Sequence, residues 1–450
     1  MDETEFQQQL VSAGVSAAQA SVEATLFVEA TAALRGTGPS GDVIHYWFVP
    51  GRIEFLGKHT DYAGGRSLIS ALERGFCVAA SARADATIRI TDAGRRERIE
   101  FGLSAGLRPQ AGHWSNYPMT VAGRIAQNFQ RPLVGADIAF ISNLPSASGL
   151  SSSSALMIGI FSALARVNSL DQREEYRSNI RSSEDLAGYL GTIENGQSFG
   201  SLAGVKGVGT FGGSQDHTAI LCCQPGRLSQ YSFCPVRLER LIGLPDDYVF
   251  VIGVCGVSAD KTGEALEKYN HVSLVAAEVL ALWRTATGRS DATLMAAMNS
   301  SSDAPEQFRK ILMASHSSVF SSQELLNRFE QFFIECTETI PGVAQAIEEG
   351  KLTEIGAMID RSQQDAEALL GNQIPETIEL ARLARERGAV AASAFGAGFG
   401  GSVWALVKKD RAESFMTDWT ERYRLRFPDS GHQSTFFLTC AGPSMLEFAD

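Results

Sequence analysis

Three glycine-containing loops of the 450-residue chain carry most of the side chains that could do chemistry. The first runs from Pro50 to Gly65 (PGRIEFLGKHTDYAGG) and places a guanidinium, an ammonium, an imidazole and a carboxylate in one short span. Carboxylates accept hydrogen bonds from hydroxyl groups, and an arginine stabilises negative charge that develops on a transferred group. The loop therefore suits a polyhydroxylated ligand, although a solvated hairpin turn would have the same composition.

The second loop, Asn143 to Ala155 (NLPSASGLSSSSA), leads directly into an apolar stretch that is predicted to be helical. Small residues let backbone N–H groups approach an anion, and a helix N-terminus favours negative charge. Serine hydroxyls can cap the helix, bind phosphate oxygens or ligate Mg²⁺. Capping needs one serine, and the run Ser151–Ser154 exceeds that need. The loop lacks the Gly-Lys-Ser/Thr of a Walker A motif.

The third loop, Phe395 to Ser402 (FGAGFGGS), precedes a predicted strand over Val403–Val407. Its glycine pattern fits a β-bulge or close backbone packing as well as a ligand site. A dinucleotide-binding fingerprint would be followed by a helix. The predicted strand therefore argues against a dehydrogenase.

The composition is that of an ordinary globular chain, with 44% hydrophobic and 20% charged residues. Because a single core stops growing at roughly 250–300 residues, we expect two domains, here divided as residues 1–225 and 226–450. Lys and Arg total 39 against 51 Asp and Glu, a net charge of −12. That excess of negative charge disfavours nonspecific binding to nucleic acid or anionic membranes.

Several features predict a cytoplasmic protein. The seven cysteines form neither a zinc pattern nor a regular disulfide framework, and the N-terminus begins acidic and lacks the features of a secretion signal. The longest apolar stretch, Ala155 to Ala165, is too short to span a bilayer.

The predicted secondary structure mixes strands and helices. β-Branched and aromatic runs predict strands over Val43–Val49, Ala136–Ile141 and Tyr248–Val257, and residues 263–383 carry mainly helical patterns. Because the strands do not alternate strictly with helices, the pattern favours an α+β fold over a doubly wound parallel sheet.

Taken together and in this order, the three loops resemble the motifs of the GHMP small-molecule kinases. GRIEFLGKHTDYAGG resembles the sugar-binding signature of the galactokinase branch, and shorter matches lie at Trp114–Tyr117, Lys268–Asn270 and Gln373–Glu376. The motifs span about four-fifths of the chain, from Pro50 to Ser402. The resemblance implies an α+β, two-domain GHMP kinase fold. Its N-terminal half would be a mixed sheet with helices and its C-terminal half helices over an antiparallel sheet, with the active site between them.

The resemblance also implies an activity and its site residues. The enzyme would use ATP and Mg²⁺ to phosphorylate the anomeric hydroxyl of galactose or a close relative. Arg52 matches the arginine near the anomeric oxygen, and Asp216 of Gly-Ser-Gln-Asp-His matches the aspartate that accepts the C1 hydroxyl proton. Asp216 would act either as the base that removes this proton or chiefly through its negative potential. His59, Asp61 and Tyr269 match residues that contact the sugar.

The same carry-over gives a nucleotide and metal site. Trp114 and Tyr117 match residues lining the adenine pocket, and Ser152, or its neighbour Ser153, would ligate Mg²⁺ together with Glu194. The remaining residues expected to bind the nucleotide are Gly149, Leu150, Ser151, Ser154 and Gly398. The partners implied are the small-molecule sugar and ATP, and the sequence carries no indication of an oligomeric state.

Lys58 departs from the family pattern, which has a glutamate there that meets the hydroxymethyl end of the sugar. A lysine pairs better with a carboxylate, so one hypothesis is a substrate oxidised at C6, such as galacturonate. The alternative is that Lys58 extends to solvent and leaves substrate choice unchanged. A third reading is a non-catalytic sensor that binds both ligands, although Arg52, Asp216 and the serine run are all retained.

Overall fold

The computed structural model describes residues 1–36, 38, 43–109, 112–130, 132–258, 263–315 and 317–449, and helices pack against two β-sheets in it. The strands are β1 His45–Leu56, β2 Arg66–Ala82, β3 Thr87–Asp92, β4 Glu97–Gly102, β5 Ala136–Ser142, β6 Arg227–Ser232, β7 Arg237–Gly243, β8 Tyr248–Val254, β9 Ala391–Phe395, β10 Ser402–Lys408, β11 Thr435–Thr439 and β12 Leu446–Glu447.

The α-helices are α1 Glu3–Ser12, α2 Ala17–Gly36, α3 Asn116–Asn128, α4 Ser152–Val167, α5 Glu174–Asn179, α6 Ser183–Asn195, α7 Gln215–Cys222, α8 Gly263–Thr287, α9 Leu294–Met298, α10 Ala304–Met313, α11 Ser322–Ile334, α12 Ile340–Glu348, α13 Leu352–Asp365, α14 Pro375–Glu386, α15 Ala412–Arg426 and α16 Pro428–Gly431. Within the described ranges, no helix is both long and apolar enough to cross a membrane.

The two sheets differ in character as predicted. The first is mixed, with the order β12–β1–β2–β5–β3–β4 and with β6 and β7 attached to the other end of β2. Its β3–β5 pair is parallel, whereas β1 and β2 are antiparallel. The second sheet, in the order β11–β8–β10–β9, is antiparallel throughout. These sheets confirm the predicted α+β class.

β1 is longer than the sequence pattern predicts. The expected strand ends at Val49, but the pairing of β1 with β2 continues to Leu56, with irregularities in register after Pro50 and after Glu54. Proline lacks an N–H, and irregular positions are where a sheet tolerates that loss. The first half of the glycine loop is therefore strand, and the polar turn begins only at Gly57.

β9 was not predicted, because its sequence, AASAF, lacks β-branched residues. All five of its residues are buried, and helices α13 and α14 pack against it. Small side chains fit such a closely covered strand, so packing rather than β-propensity accounts for this element.

An aromatic contact joins the two sheets. The Phe55 ring of β1 stacks on the Trp404 ring of β10 at a centroid distance of 4.1 Å, and both side chains are fully buried. One hydrophobic cluster continues from the first sheet to Phe250 and Leu406 of the second. Because the two sheets share this core, close packing holds the end of β1 rigidly between them.

The division at residues 225 and 226 stays a prediction. β6 and β7 lie just beyond it and hydrogen-bond into the first sheet through β2. β12, near the end of the described chain, pairs with β1 in that same sheet.

Glu23 on α2 anchors the start of the second glycine loop. This fully buried carboxylate accepts hydrogen bonds from Asn143 Nδ2 at 2.5 Å and Gln19 Nε2 at 2.6 Å, and Cys77 Sγ lies 3.4 Å from its Oε2. Burial raises the pKa of Glu23 to about 7, because the ionised form is disfavoured away from water.

Replacing Glu23 with Gln should flatten the pH dependence of stability. The folded state holds the Glu23 proton up to about pH 7, whereas the unfolded chain releases it near pH 4.5. The free energy of unfolding of the wild type should thus decrease as the pH rises from 4.5 to about 7. Glu23 should account for up to roughly 3 kcal/mol of that decrease. Urea unfolding at pH 5 and pH 8 measures the difference.

A matched control is Glu421→Gln, which removes an exposed carboxylate from α15. We expect this variant to show the same pH dependence as the wild type. An unchanged pH dependence in Glu23→Gln would contradict a raised pKa at Glu23.

Candidate functional site

A cavity of about 520 Å³ lies where the end of β1, the starts of α4 and α7, and the turn between β9 and β10 meet. Its volume is in the range of small-molecule sites. The sequence-predicted residues on its wall are Arg52, His59, Asp61, Trp114, Tyr117, Gly149, Ser151, Ser152, Ser153, Glu194, Asp216 and Tyr269. The fold therefore brings all three glycine loops to one cavity.

The other predicted residues, which lie behind the cavity wall, are Lys58, Leu150, Ser154 and Gly398. The Leu150 carbonyl accepts the Arg52 backbone N–H at 3.3 Å. Ser154 Oγ donates to Glu194 Oε2 at 3.2 Å. Gly398 adopts a φ of +80°, and a Cβ there would lie 2.1 Å from a carbonyl oxygen of the loop before α14. These residues hold the wall in place, and their contact with a nucleotide stays a prediction.

Lys58 is buried, with only 2% of its surface exposed. Its Nζ donates to Ser393 Oγ of β9 at 2.8 Å, and that hydroxyl contacts Gln363 Oε1 at 3.1 Å. The expectation that Lys58 extends to solvent is wrong, because the second sheet covers the side chain. For Lys58 to contact a substrate carboxylate, its ammonium would have to leave Ser393.

Arg52 links three elements at the cavity. Its Nε donates to Asp216 Oδ1 in the first turn of α7 at 2.7 Å, and its Nη1 donates to the Gly149 carbonyl at 2.5 Å. Arg52 is 3% exposed. A guanidinium has a rigid fork of donors, so two such contacts fix its orientation. The pair leaves a carboxylate beside a fixed positive charge, next to the second glycine loop.

Asp61 faces the same part of the cavity from the turn after β1. Its Oδ2 accepts the Gln215 N–H at 3.0 Å. Burial and the nearby charge of Asp216 raise the pKa of Asp61. Gly213 is required here, since a Cβ would lie 2.4 Å from Asp61 Oδ2.

His59 and Tyr269 complete this part of the wall. His59 has a φ of +57°, and its Nε2 lies 3.0 Å from the Ala397 carbonyl in the third loop. Its ring centroid is 5.3 Å from that of Tyr269 on α8. The imidazole and phenol thus extend the set of polar groups begun by Asp61 and Asp216.

Glu54 is a cavity residue that the sequence analysis missed. It is 3% exposed, and its Oε1 has no hydrogen-bond partner among the described residues. Burial raises the pKa of Glu54 to about 7, a rise that the positive charges of Arg52 and Lys58 reduce and the negative charge of Asp216 increases. Residues two apart in a strand share a face. The role expected of Arg52 was therefore the one sequence signal that could have pointed to Glu54.

The second loop leads into the N-terminus of α4, whose first residues line the cavity. Ser151 precedes α4 in a left-handed conformation, with φ 62° and ψ 36°. Its Oγ is buried and without a partner in the described part of the chain. Ser152 and Ser153 begin the helix and also line the cavity. Free N–H groups, a helix dipole and hydroxyls are together the groups that suit an anion.

Glu194 supplies the only sequence-predicted carboxylate at this end of the cavity. It is 5% exposed and accepts hydrogen bonds from Ser154 Oγ at 3.2 Å and Thr210 Oγ1 at 3.1 Å. Among the described residues there is no group of three or more His, Cys, Asp or Glu side chains able to hold a metal ion. Mg²⁺ bound with phosphates needs only one or two protein carboxylates, so Glu194 and the serines fit Mg²⁺.

Aromatic side chains line the far end of the cavity. The Trp114 ring meets the Phe140 ring edge-on at 5.9 Å, and Phe140 lies 5.4 Å from Phe76. Tyr117, in the first turn of α3, also lines the cavity. Phe76 and Phe140 come from the centre of the first sheet and have no motif of their own, so nothing in the sequence marks them as cavity residues. This end suits a planar, apolar ring system.

The third loop packs directly on the second. Ser402 Oγ donates to the Ser148 carbonyl at 2.6 Å, and both residues are buried. Gly396 has a φ of +84°, and a Cβ there would lie 2.9 Å from the Gly149 carbonyl. The glycines of the third loop are thus needed for close backbone packing, which holds the second loop in position.

The chain matches three protein-family profiles. Residues 38–82 match the galactokinase galactose-binding signature, residues 116–198 the N-terminal domain of GHMP kinases, and residues 343–425 the C-terminal domain of GHMP kinases. The three matches lie in the order expected from the motifs.

Similar proteins cover most of the chain. The chain is 28% identical to a galactokinase of Chloroflexus aggregans, over 84% of this chain and 87% of the relative. It is 25% identical to a galactokinase of Exiguobacterium sibiricum, over 90% of this chain and 94% of that relative. The crystal structure of Lactococcus lactis galactokinase complexed with galactose shares the fold, with a TM-score of 0.76 at 22% identity over 94% of this chain and 100% of that one.

Replacing Ser402 with Ala should destabilise the contact between the second and third loops. The variant leaves the buried Ser148 carbonyl without its donor, which should lower the free energy of unfolding by about 1–2 kcal/mol. Urea denaturation measures the change. Ser414→Ala is the control, because Ser414 Oγ donates to the Arg411 carbonyl on the exposed surface of α15, and its loss should change little. Equal effects of the two variants would contradict the account.

Proposed function

This chain is a galactokinase-like GHMP kinase, and we propose that it transfers the γ-phosphoryl group of ATP to the anomeric hydroxyl of galactose. The observation that carries the proposal is the Arg52–Asp216 pair, at 2.7 Å, in the same cavity as the serine-rich start of α4. A carboxylate for the attacking hydroxyl and an anion site for the phosphates are the two parts that phosphoryl transfer needs.

The polar part of the cavity would bind the sugar. Asp61, His59 and Tyr269 supply acceptors and donors for its hydroxyl groups, and Asp216 accepts the hydrogen of the C1 hydroxyl. In the transfer step the C1 O–H bond breaks and its proton passes to Asp216. The hydroxyl oxygen bonds to the γ-phosphorus, the bond from that phosphorus to the bridging oxygen breaks, and ADP leaves. Arg52 stabilises the negative charge on the transferred group.

The other part would bind the nucleotide. The backbone N–H groups at the start of α4, with the Ser151 and Ser152 hydroxyls, would bind the phosphate oxygens. Trp114 and Tyr117, with the aromatic wall behind them, would hold the adenine ring. The two ligands would therefore meet beside Arg52, which contacts both Asp216 and Gly149.

Glu194 and Ser152, or the neighbouring Ser153, would hold Mg²⁺. The fit is supported by the buried Glu194 carboxylate and by hydroxyls at the start of α4. When bound, Mg²⁺ neutralises charge on the β- and γ-phosphates. Ser154 and Thr210 donate hydrogen bonds to the Glu194 carboxylate, and they would orient it for this role.

A non-catalytic sensor would have lost part of the catalytic pair, and here both members are present and in contact. We also propose a cytoplasmic location. All seven cysteines lie in the described ranges as free thiols, as expected of a protein kept in a reducing compartment.

Asp216→Asn should abolish phosphoryl transfer while leaving nucleotide binding intact. The amide cannot take the C1 hydroxyl proton, so the turnover number should fall at least about 100-fold. The dissociation constant of a non-hydrolysable ATP analogue, measured by calorimetry, should stay within a few-fold of the wild-type value, because Asp216 is assigned to the sugar. Asp410→Asn, at an exposed position after β10, should keep wild-type turnover. A wild type without turnover would indicate a sensor. If Asp216→Asn keeps its turnover, Asp216 is not the base.

Galactose should be a much better acceptor than galacturonate. The part of the cavity wall assigned to the sugar carries the carboxyl groups of Glu54, Asp61 and Asp216, whereas the Lys58 ammonium is bonded to Ser393. A uronate would add a further negative charge beside them, so kcat/KM should be at least about tenfold lower than for galactose. Coupled detection of ADP release measures both. Efficient use of galacturonate that is lost in Lys58→Met would instead support the uronate hypothesis.

A further inference from the structure

We propose that Glu54 is a further sugar-binding residue, whose carboxyl group hydrogen-bonds a hydroxyl of the acceptor and thereby selects a neutral sugar. The inference rests on the proposed function, because it assumes that the polar part of the cavity holds the acceptor.

The position of Glu54 follows from the course of β1. Arg52 and Glu54 are two residues apart on this strand and so face the same side, while Phe55 faces Trp404 in the core. Arg52 reaches Asp216 from that side, and both Arg52 and Glu54 lie on the cavity wall. Glu54 is therefore directed to the place where the acceptor hydroxyls would lie.

The hydrogen bonding of Glu54 is incomplete in a way that a ligand would complete. Its Oε1 is buried and has no partner in the described residues. Other buried carboxylates have protein donors: Glu335 accepts from the Gly57 N–H at 2.8 Å and Ser362 Oγ at 2.7 Å, and Asp137 accepts from Arg83 at 3.0 Å. A buried polar atom without a partner is costly and needs an explanation. A sugar hydroxyl is a donor of the right kind.

The charges around Glu54 favour a neutral ligand group. Arg52 and Lys58 act on it as positive neighbours, and Asp61 and Asp216 as negative ones. The Tyr62 phenol also lies near Glu54. Burial raises the pKa of Tyr62 to about 12, and the negative charge of Glu54 adds to that rise. Three carboxyl groups already face two cations. A hydroxyl adds no charge, whereas a substrate carboxylate would increase the imbalance.

This arrangement also gives Lys58 a role without a substrate contact. Its buried ammonium is fixed by Ser393 and lowers the cost of keeping Glu54 buried beside Asp61 and Asp216. The burial of Lys58 does not follow from the loop sequence alone.

The test compares Glu54→Gln with Glu73→Gln, a matched removal of a buried carboxylate on β2 outside the cavity. In Glu54→Gln the KM for galactose should rise about tenfold or more, with the KM for ATP nearly unchanged. Glu73→Gln should leave both constants near the wild-type values. An equal rise in the KM values for galactose and ATP in Glu54→Gln would contradict a sugar contact.

A series of monodeoxygalactoses identifies the contact. In the wild type, kcat/KM should fall for the deoxy sugar that lacks the hydroxyl bound by Glu54. In Glu54→Gln the fall in kcat/KM should be much smaller for that sugar and unchanged for the other deoxy sugars. If the variant responds to every deoxy sugar as the wild type does, the inference is overturned while galactose phosphorylation stands. If the wild type does not phosphorylate galactose, the proposed function fails instead. Should Glu54→Gln not fold, Glu54→Asp, which keeps the charge but shortens the reach, gives the same comparison.

Discussion

The geometry of the cavity depends on one buried guanidinium. Arg52 is almost fully removed from water, and a buried charge is tolerated only when it is paired and hydrogen-bonded. Its partners are Asp216 at the start of α7 and the carbonyl of Gly149 before α4. Since these three elements are far apart in sequence, the two contacts of Arg52 fix the Asp216 carboxylate and the loop before α4 relative to each other. Removing the Asp216 charge would leave the buried Arg52 guanidinium without the carboxylate that its Nε contacts at 2.7 Å.

The glycines serve this same constraint. The third loop can approach the second only because Gly396 and Gly149 bring backbone against backbone, with Ser402 bonded to Ser148. Gly213 leaves room for the carboxylate of Asp61. The net charge of −12 is a sum over the whole chain, whereas the charges inside the cavity are set by a few side chains. The opposition of its carboxyl groups to Arg52 and Lys58 is a local property that composition does not reveal.

Short motifs made the three loops predictable, the pattern of strands and helices indicated the α+β class, and the Arg52–Asp216 assignment came from the resemblance to the GHMP kinases. The structure brings those two side chains together, while their roles remain proposals. The position of Lys58 was not predictable, since its burial depends on β9, a strand of small residues. Glu54 was missed because the register of β1 beyond Pro50 depends on its pairing with β2. Phe76 and Phe140 reach the cavity from the middle of a sheet, where their sequence pattern is that of any core strand.

The most direct test of the central claim is to identify the product by phosphorus NMR. The purified protein would be incubated with galactose, ATP and Mg²⁺, and the phosphorus signal of the product assigned through its coupling to sugar protons. The account predicts a single phosphomonoester coupled to the anomeric proton, together with one ADP for each sugar consumed. A phosphate on any other hydroxyl, or ATP left intact in the presence of galactose, would contradict it.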